Sequence, residues 1–122
     1  MTAGTVLVLA DVLPVDGPES ALPARICAAI NLQDPEPPLS IVAEGEEALL
    51  LPAIALSQRS AHRRVAGYLL IDPVLPPVTD SWPDAPVTVA SDDPSCDASM
   101  QGRLRGWTVV MRAELADWPP AD

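Results

Sequence analysis

The chain lacks lysine and phenylalanine altogether, and it is poor in several residue types that carry recognisable chemistry. It has one histidine and two cysteines in 122 residues, and 17 acidic residues outweigh seven arginines to give a formal charge of −10. A protein without a basic stripe cannot displace counterions from phosphates, so we expect no binding to nucleic acid. The same negative charge opposes binding to an anionic membrane surface.

Long apolar runs are also missing. None approaches the roughly 20 residues of a membrane span, and the start, MTAGTVLVLADVLP, has no positive region of a signal peptide. We therefore expect a cytoplasmic protein. Cys27 and Cys96 lie far apart without CxxC spacing, so they are predicted to be free thiols. The spacings predict no metal site and no cofactor.

Apolar residues make up 48 % of the sequence, which is ample for one core over residues 1–122. Short β-branched and apolar runs alternate with helical patterns separated by proline-rich loops, and the tail from about residue 113 is expected to be loosely ordered. The strands are predicted at Thr5–Ala10, Leu39–Ala43, Val65–Ile71, Val87–Ala90 and Trp107–Met111. The helices are predicted at Leu22–Leu32, at Glu46–Ala61, and from Ser91 or Asp92 as N-cap to the Gly102–Gly106 region.

This alternation is typical of an α/β fold with about five mainly parallel strands, in two or three layers. Pro52 falls about two turns into the second predicted helix, where it should kink the helix or leave a carbonyl unpaired. If consecutive strands step across the sheet in order, right-handed crossovers place most helices on one face. The other face would then be apolar and bare, which predicts a partner against it, most simply a second copy.

The segment from Leu39 to Met111 resembles the central and C-terminal part of a small bacterial α/β-hydrolase. In that superfamily a strand leads into Gly-x-Ser-x-Gly and then a helix. One subgroup has a pattern resembling LVGHSGAGPLLPAIA, and residues 41–55 here read IVAEGEEALLLPAIA. VAGYLLIDP at residues 65–73 and WPDAPV at residues 82–87 resemble the segments that follow. The resemblance implies a shortened α/β-hydrolase-like fold whose N-terminal half is compressed or missing.

The catalytic positions depart from the family pattern. Gly45 stands where the resemblance places the serine nucleophile, and Glu44 and Glu46 replace the flanking histidine and glycine. The histidine that should follow the last strand is absent, because Arg112 and the residues after it occupy that place. Only the neighbourhood of the family's acid survives, as Asp92 and Asp93. Hydrolysis by a Ser-His-Asp relay needs a nucleophile and a base in contact, and the chain supplies neither.

Acidic residues remain at the predicted carboxyl ends of the strands, where open α/β sheets bind ligands. These residues are Asp11, Glu44, Glu46, Asp72, Asp92 and Asp93. One interpretation is a ligand crevice for a cation or small molecule, or a carboxylate of raised pKa that acts as a general base. The other is a set of separate turn and capping residues in water.

Two further residue types have alternative interpretations. His62 beside Arg63 and Arg64 is interpreted as a cation at a helix end rather than as a catalytic base. Trp82, Trp107 and Trp118 would form either a ligand-facing aromatic surface or, for Trp107, part of the core and, for Trp118, a contact with a partner.

Three hypotheses follow for the function. The first is a catalytically silent α/β-hydrolase-like binding or accessory protein, acting as a homodimer or as a partner subunit. The second is a non-hydrolytic enzyme, of isomerase or cyclase type, in which Glu44 or Glu46 moves a proton on a small substrate. The third is a truncated remnant without a selected role, which poor expression or the lack of a defined oligomer would favour.

Overall fold

A computed structural model describes residues 4–12, 21–76, 82–93 and 95–117. Within them five strands form one sheet: β1 (Thr5–Val8), β2 (Leu39–Glu44), β3 (Val65–Ile71), β4 (Val87–Ala90) and β5 (Thr108–Val110). Their order across the sheet follows the chain, and every neighbouring pair is parallel. The predicted α/β class with five parallel strands is therefore confirmed.

Four α-helices accompany the sheet in the described part of the chain: α1 (Leu9–Val12), α2 (Leu22–Gln33), α3 (Leu51–Ser60) and α4 (Asp97–Leu104). Two 3₁₀ helices cover Gly45–Leu50 and Arg112–Asp117. The second of these lies at the start of the tail that was expected to be loosely ordered from about residue 113, and residues 118–122 lie outside the described part. No helix among the described residues is long and apolar enough to cross a membrane.

The first predicted strand and the last predicted helix have different bounds in the structure. Thr5–Ala10 is not one strand, since β1 ends at Val8 and Leu9 begins α1. A helical turn places residues three apart on one side, which brings both Leu9 and Val12 against the core. The last predicted helix begins not after Ser91 or Asp92 but at Asp97, with Cys96 as its N-cap.

The prediction that Pro52 would disturb the helix is wrong. The 3₁₀ helix Gly45–Leu50 comes first, so that α3 begins only at Leu51 and Pro52 lies in its first turn. The first backbone N–H groups of a helix have no partner inside it, so proline removes no hydrogen bond there. The change of helix type at Leu50 thus explains how the sequence accommodates the proline.

The core lies on one face of the sheet. Alternate residues of the strands point to it in register, for example Leu7, Ile41, Tyr68 and Val87 in one row across four strands. Side chains from α2, α3 and α4 complete it, namely Ile26, Ile30, Leu51, Ile54, Ala55 and Ala98. At Gly102 a Cβ would come within 3.1 Å of Val109 Cγ2 and 3.3 Å of Val89 Cγ2, so α4 packs closely on β4 and β5.

The opposite face of the sheet contributes nothing to this core cluster, although two of its members are buried, Leu69 at 4 % and Ala90 at 0 % exposure. It is made of Val6, Val8, Ser40, Val42, Gly67, Leu69, Ile71, Thr88, Ala90, Thr108 and Val110. Since α2, α3 and α4 all pack on the other side, the described part of the chain forms two layers rather than three.

Candidate functional site

The turn after β2 keeps the strand–turn–helix frame that the sequence predicts. Glu44 ends β2 in an extended conformation, and Gly45 follows with φ +60° before the 3₁₀ helix. A residue with a side chain adopts this left-handed conformation at a cost of about 1 kcal/mol, which glycine avoids. A Cβ built on Gly45 would meet no atom within 4 Å, so the backbone conformation, rather than lack of space, favours glycine.

The two glutamates proposed as weak catalytic candidates, Glu44 and Glu46, are both exposed. The backbone N–H of Glu44 donates to Glu47 Oε1 at 2.9 Å, a bond that helps to start the following helix. The backbone N–H of Val74 donates to the Gly45 carbonyl at 3.0 Å and so ties the loop after β3 to the turn. These contacts support a structural role for the turn.

Three chain segments leave the sheet side by side at its carboxyl edge. Glu44, Ile71 and Ala90 are partners in register, so the next residues, Gly45, Asp72 and Ser91, emerge from adjacent strands. Neighbouring strands lie about 4.8 Å apart, so Gly45 is roughly 10 Å from Ser91 across Asp72. Gly45, where the resemblance places the nucleophile, and Ser91, which follows β4, therefore lie at the same edge of the sheet.

An open cleft of about 360 Å³ lies at this edge, between the ends of β3 and β4 and the start of α4. It is lined by Asp72, Pro73, Ser91, Asp93, Cys96, Asp97 and Ala98. Asp72 has φ +42° and binds Arg112 through an Arg112 Nη1–Asp72 Oδ2 contact of 3.1 Å, with both side chains partly exposed. The cleft thus combines three carboxylates and one thiol, with an arginine beside Asp72.

Cys96 is the reactive group of the cleft. Its Sγ lies 3.3 Å from Ser99 Oγ and 3.5 Å from Ser91 Oγ, at the N-terminal end of α4. Hydrogen bonds with Ser91 and then Ser99 lower the pKa of the Cys96 thiol, although burial and the charge of Asp93 oppose the shift. A thiol with a lowered pKa has more of the nucleophilic thiolate at neutral pH.

The loop before α4 holds these hydroxyls in place. The backbone N–H of Asp93 donates to Ser91 Oγ at 3.1 Å, and Ser99 Oγ donates to the Asp93 carbonyl at 3.2 Å. The Asp93 carboxylate accepts the Ser95 hydroxyl at 2.7 Å and the Ser95 N–H at 2.9 Å. These two bonds, the hydroxyl first, lower the pKa of Asp93.

The structure brings only part of the predicted crevice together. Asp72 and Asp93 both line the cleft, whereas Asp11 and Asp92 are exposed and outside its lining. No group of three or more His, Cys, Asp or Glu side chains among the described residues is placed to hold a metal ion.

His62 follows α3 in a left-handed conformation with φ +60° and is exposed. Since α3 spans about 15 Å, His62 is remote from Gly45.

The described tryptophans belong to the core rather than to a ligand surface. Trp82 is fully buried, and its ring packs edge-on against Tyr68 and Trp107, with centroid distances of 5.7 Å in both pairs. The Tyr68 hydroxyl donates to Asp84 Oδ1 at 2.6 Å. Burial, followed by the bond and charge of Asp84, raises the pKa of Tyr68. Trp118 lies outside the described residues.

From the sequence, Cys96 was expected only to be a free thiol, and neither Asp97 nor Ser99 was proposed as a site residue. The pattern Ser91-x-Asp93-x-Ser95-Cys96, placed directly after a strand and before a helix, was the available signal. The role of this pattern depends on which hydroxyls face the Cys96 sulfur, and the spacing alone does not determine that.

No family model, curated protein or solved structure matches this chain.

Proposed function

We propose that the chain is a catalytically silent, α/β-hydrolase-like protein that acts by binding, as an accessory component rather than as an enzyme. The observation that carries the proposal is the turn at Gly45. It retains the order of strand, turn and helix that the resemblance implies, but Gly45 at the turn has no side chain with which to attack a substrate.

The surroundings of the turn support the same interpretation. His62 lies beyond the far end of α3, so it cannot act as a base at position 45. Glu44 and Glu46 are exposed, and Glu44 takes part in starting the helix. A general base of the isomerase or cyclase type works best in an enclosed pocket that shifts its pKa, so the structure gives the enzymatic alternative less support.

Activated esters provide the first experiment. We expect the purified protein to hydrolyse p-nitrophenyl butyrate no faster than a matched preparation of the Cys96→Ala variant, and neither to show turnover beyond one equivalent. A single equivalent of released p-nitrophenol would report acylation of the Cys96 thiol without catalysis. Sustained turnover by the wild-type protein would contradict a silent role.

The enzymatic alternative is tested in the native host. If the role is binding, a Glu44→Gln/Glu46→Gln double variant should restore whatever cellular trait is lost when the gene is deleted. The substitutions keep size and hydrogen-bonding capacity and remove only the carboxylates. Loss of the trait with an unchanged amount of folded protein would favour the proton-transfer enzyme instead.

A further inference from the structure

We propose that the amino edge of the sheet, where the five strands begin, is a docking surface for an acidic segment of a partner protein that also carries apolar side chains. The inference rests on the proposed function, since it names the surface and the kind of partner through which the chain would bind. All five strands are parallel, so the residues that precede them share this edge. Helices α2, α3 and α4 also end here, because each of them leads into the start of a strand.

Opposite charges collect at the two edges of the sheet. The carboxyl edge is mainly acidic, with Asp72, Asp93 and Asp97 lining its cleft. The amino edge holds five of the seven arginines and the single histidine, in the last turns of α3 and α4 or just after them. These residues are Arg59, His62, Arg63, Arg64, Arg103 and Arg105. A chain whose formal charge is −10 therefore presents a positive surface at one end, and that surface favours a partner of negative charge.

The carboxylates near this edge leave two of the arginines unpaired. Asp34 binds the buried Arg63 at 3.0 Å, and Asp84 accepts a tyrosine hydroxyl at 2.6 Å. Arg59 and Arg64 are exposed, and neither forms an ion pair with another described residue. Each of these two guanidinium groups can therefore bind a carboxylate of another molecule, in the two-pronged geometry that arginine and carboxylate share.

Exposed leucines lie at both ends of this positive surface. Leu32, in the last turn of α2, is 88 % exposed, and Leu104, the last residue of α4, is 78 % exposed. Of the large apolar side chains in the described part of the chain, these two are the most exposed. Arg63 donates to Asn31 Oδ1 at 2.8 Å, which places the end of α2 beside the arginines. The helix dipole favours cations at helix ends, but it does not favour leucines there, so an apolar contact accounts for both leucines better.

The distance between the leucines sets the length of the partner segment. Helix α2 leads into β2 and α4 into β5, which are three strand spacings or roughly 15 Å apart. An extended chain advances about 3.3 Å per residue, so a segment of about five or six residues reaches from Leu32 to Leu104 across the arginines. A single phosphate is too small to do so, and the formal charge of −10 opposes a long polyanion such as nucleic acid.

Fluorescence anisotropy at about 0.15 M sodium chloride tests the proposal, with a labelled peptide of Asp-Leu-Glu repeats as the probe. At this salt concentration the Debye length is about 8 Å, so the arginines beside the peptide outweigh the carboxylates at the far edge. The full-length wild-type protein should bind the peptide with a dissociation constant on the order of 100 µM. A peptide of Asp-Ser-Glu repeats should bind about tenfold more weakly, because it has no leucine side chains to bury.

Paired variants locate the binding surface. Arg59→Gln/Arg64→Gln should weaken binding of the Asp-Leu-Glu peptide about tenfold, because it removes both unpaired guanidinium groups. The matched control is Arg25→Gln/Arg112→Gln, which removes the same net charge from exposed residues near the start of α2 and just after β5. This control should bind within about twofold of the wild type, since its charges lie away from the amino edge.

The same assay tests the leucines. Leu32→Ser/Leu104→Ser should bind the two peptides equally, because it leaves nothing for the leucines of the peptide to cover. All the substituted side chains are exposed, so the variants should fold, which circular dichroism checks. No binding by the wild-type protein at about 1 mM would overturn the proposal, as would equal weakening by the two arginine pairs. Displacement of the peptide by about 10 mM inorganic phosphate at constant ionic strength would also overturn it, since a small anion would then be the ligand.

The outcome is independent of the activity assays. A protein that shows neither turnover nor peptide binding would remove this surface and leave the silent binding role, now through another part of the chain. Peptide binding together with sustained turnover would keep the surface and remove the silent role.

Discussion

Cys96 and Cys27 are the two thiols of the chain, and their surroundings shift their pKa values in opposite directions. Hydrogen bonds with Ser91 and Ser99 lower the pKa of Cys96, whereas burial raises that of Cys27 between α2 and α3. A thiol reacts as its thiolate, so its alkylation rate rises as pH increases through the pKa. Cys96 should therefore be alkylated by iodoacetamide at lower pH than Cys27, as peptide mass mapping across a pH series would show.

Serine variants distinguish the effect of the hydrogen bonds on the Cys96 pKa from the effect of solvent exposure on its reactivity. Ser91→Ala and Ser99→Ala remove hydroxyls that face the Cys96 sulfur, so each should move the midpoint of the pH profile upward. Ser95→Ala is the control, because Ser95 bonds only to the Asp93 carboxylate in this loop. Equal profiles for Cys96 and Cys27 would contradict the assignment.

At the residue scale, the sequence predicted the frame of the site better than its chemistry. Gly45 was predicted at a sharp turn, and its positive φ fits that position. Asp72 and Asp93 share a cleft as strand-end residues, but Asp11 and Asp92 do not join them. Strand ends can be placed from hydrophobic periodicity. The direction of a side chain beyond the strand depends on loop hydrogen bonds, which the sequence pattern does not encode.

At the scale of elements, Arg63 joins the ends of two helices. Its guanidinium donates to Asn31 Oδ1 at 2.8 Å, to Gln58 Oε1 at 3.0 Å and to Asp34 Oδ1 at 3.0 Å. Asn31 and Asp34 lie at the end of α2, Gln58 near the end of α3. The side chain is only 9 % exposed, and Gln58 is fully buried. From the sequence, Arg63 was expected only to belong to a cluster of positive charges at a helix end.

Removing the Arg63 contacts should destabilise the fold. Arg63→Met keeps an apolar stem but leaves the buried Gln58 oxygen without a donor, so we expect the free energy of unfolding to fall by about 2 kcal/mol. Arg63→Lys should recover only part of the loss, because an ammonium group cannot serve three acceptors in the geometry of a planar guanidinium. Urea unfolding followed by circular dichroism measures both.

The neighbouring arginine provides the control for that experiment. Arg64 is exposed, so Arg64→Met should change the free energy of unfolding by no more than about 0.5 kcal/mol. If Arg63→Met and Arg64→Met proved equally stable, the Arg63 contacts would not contribute as described.

Element boundaries show where sequence reasoning reached its limit. The helix predicted from Glu46 to Ala61 exists, but its first part is the 3₁₀ helix Gly45–Leu50 and the rest is α3. The two helix types differ by one residue in hydrogen-bond spacing, a difference to which periodicity over six residues is insensitive. Pro52 marked the boundary, since proline is favoured in the first turn of an α-helix.

At the scale of the whole molecule, charge should oppose self-association. Two copies with a formal charge of −10 each repel, and the Debye length falls from about 30 Å at 0.01 M salt to about 8 Å at 0.15 M. The mass that light scattering measures at a fixed protein concentration should therefore stay equal or rise as sodium chloride increases over that range. A mass that falls with added salt would contradict net repulsion between copies and indicate attraction between charged groups.

The overall architecture was the most predictable level. Continuous apolar strands such as Val65–Ile71 indicated a parallel sheet, and their alternation with helices indicated the α/β class. The strand order β1 to β5 was predicted only conditionally. Apolar strands fit a parallel sheet whichever strands are neighbours, so the hydrophobic pattern does not determine the order. The placement of α2, α3 and α4 on one face follows from that order, so it too could be expected but not established from the sequence.

The chain-order sheet also has a consequence for synthesis on the ribosome. Each strand pairs only with the strands just before and after it in the sequence, so no strand waits for a distant segment to be made. Once β3 has emerged, Leu7, Ile41 and Tyr68 can already pack beneath α2 and α3. The remaining strands then add to one growing edge. Nascent chains would thus acquire their core progressively, without waiting for the whole sequence to be made.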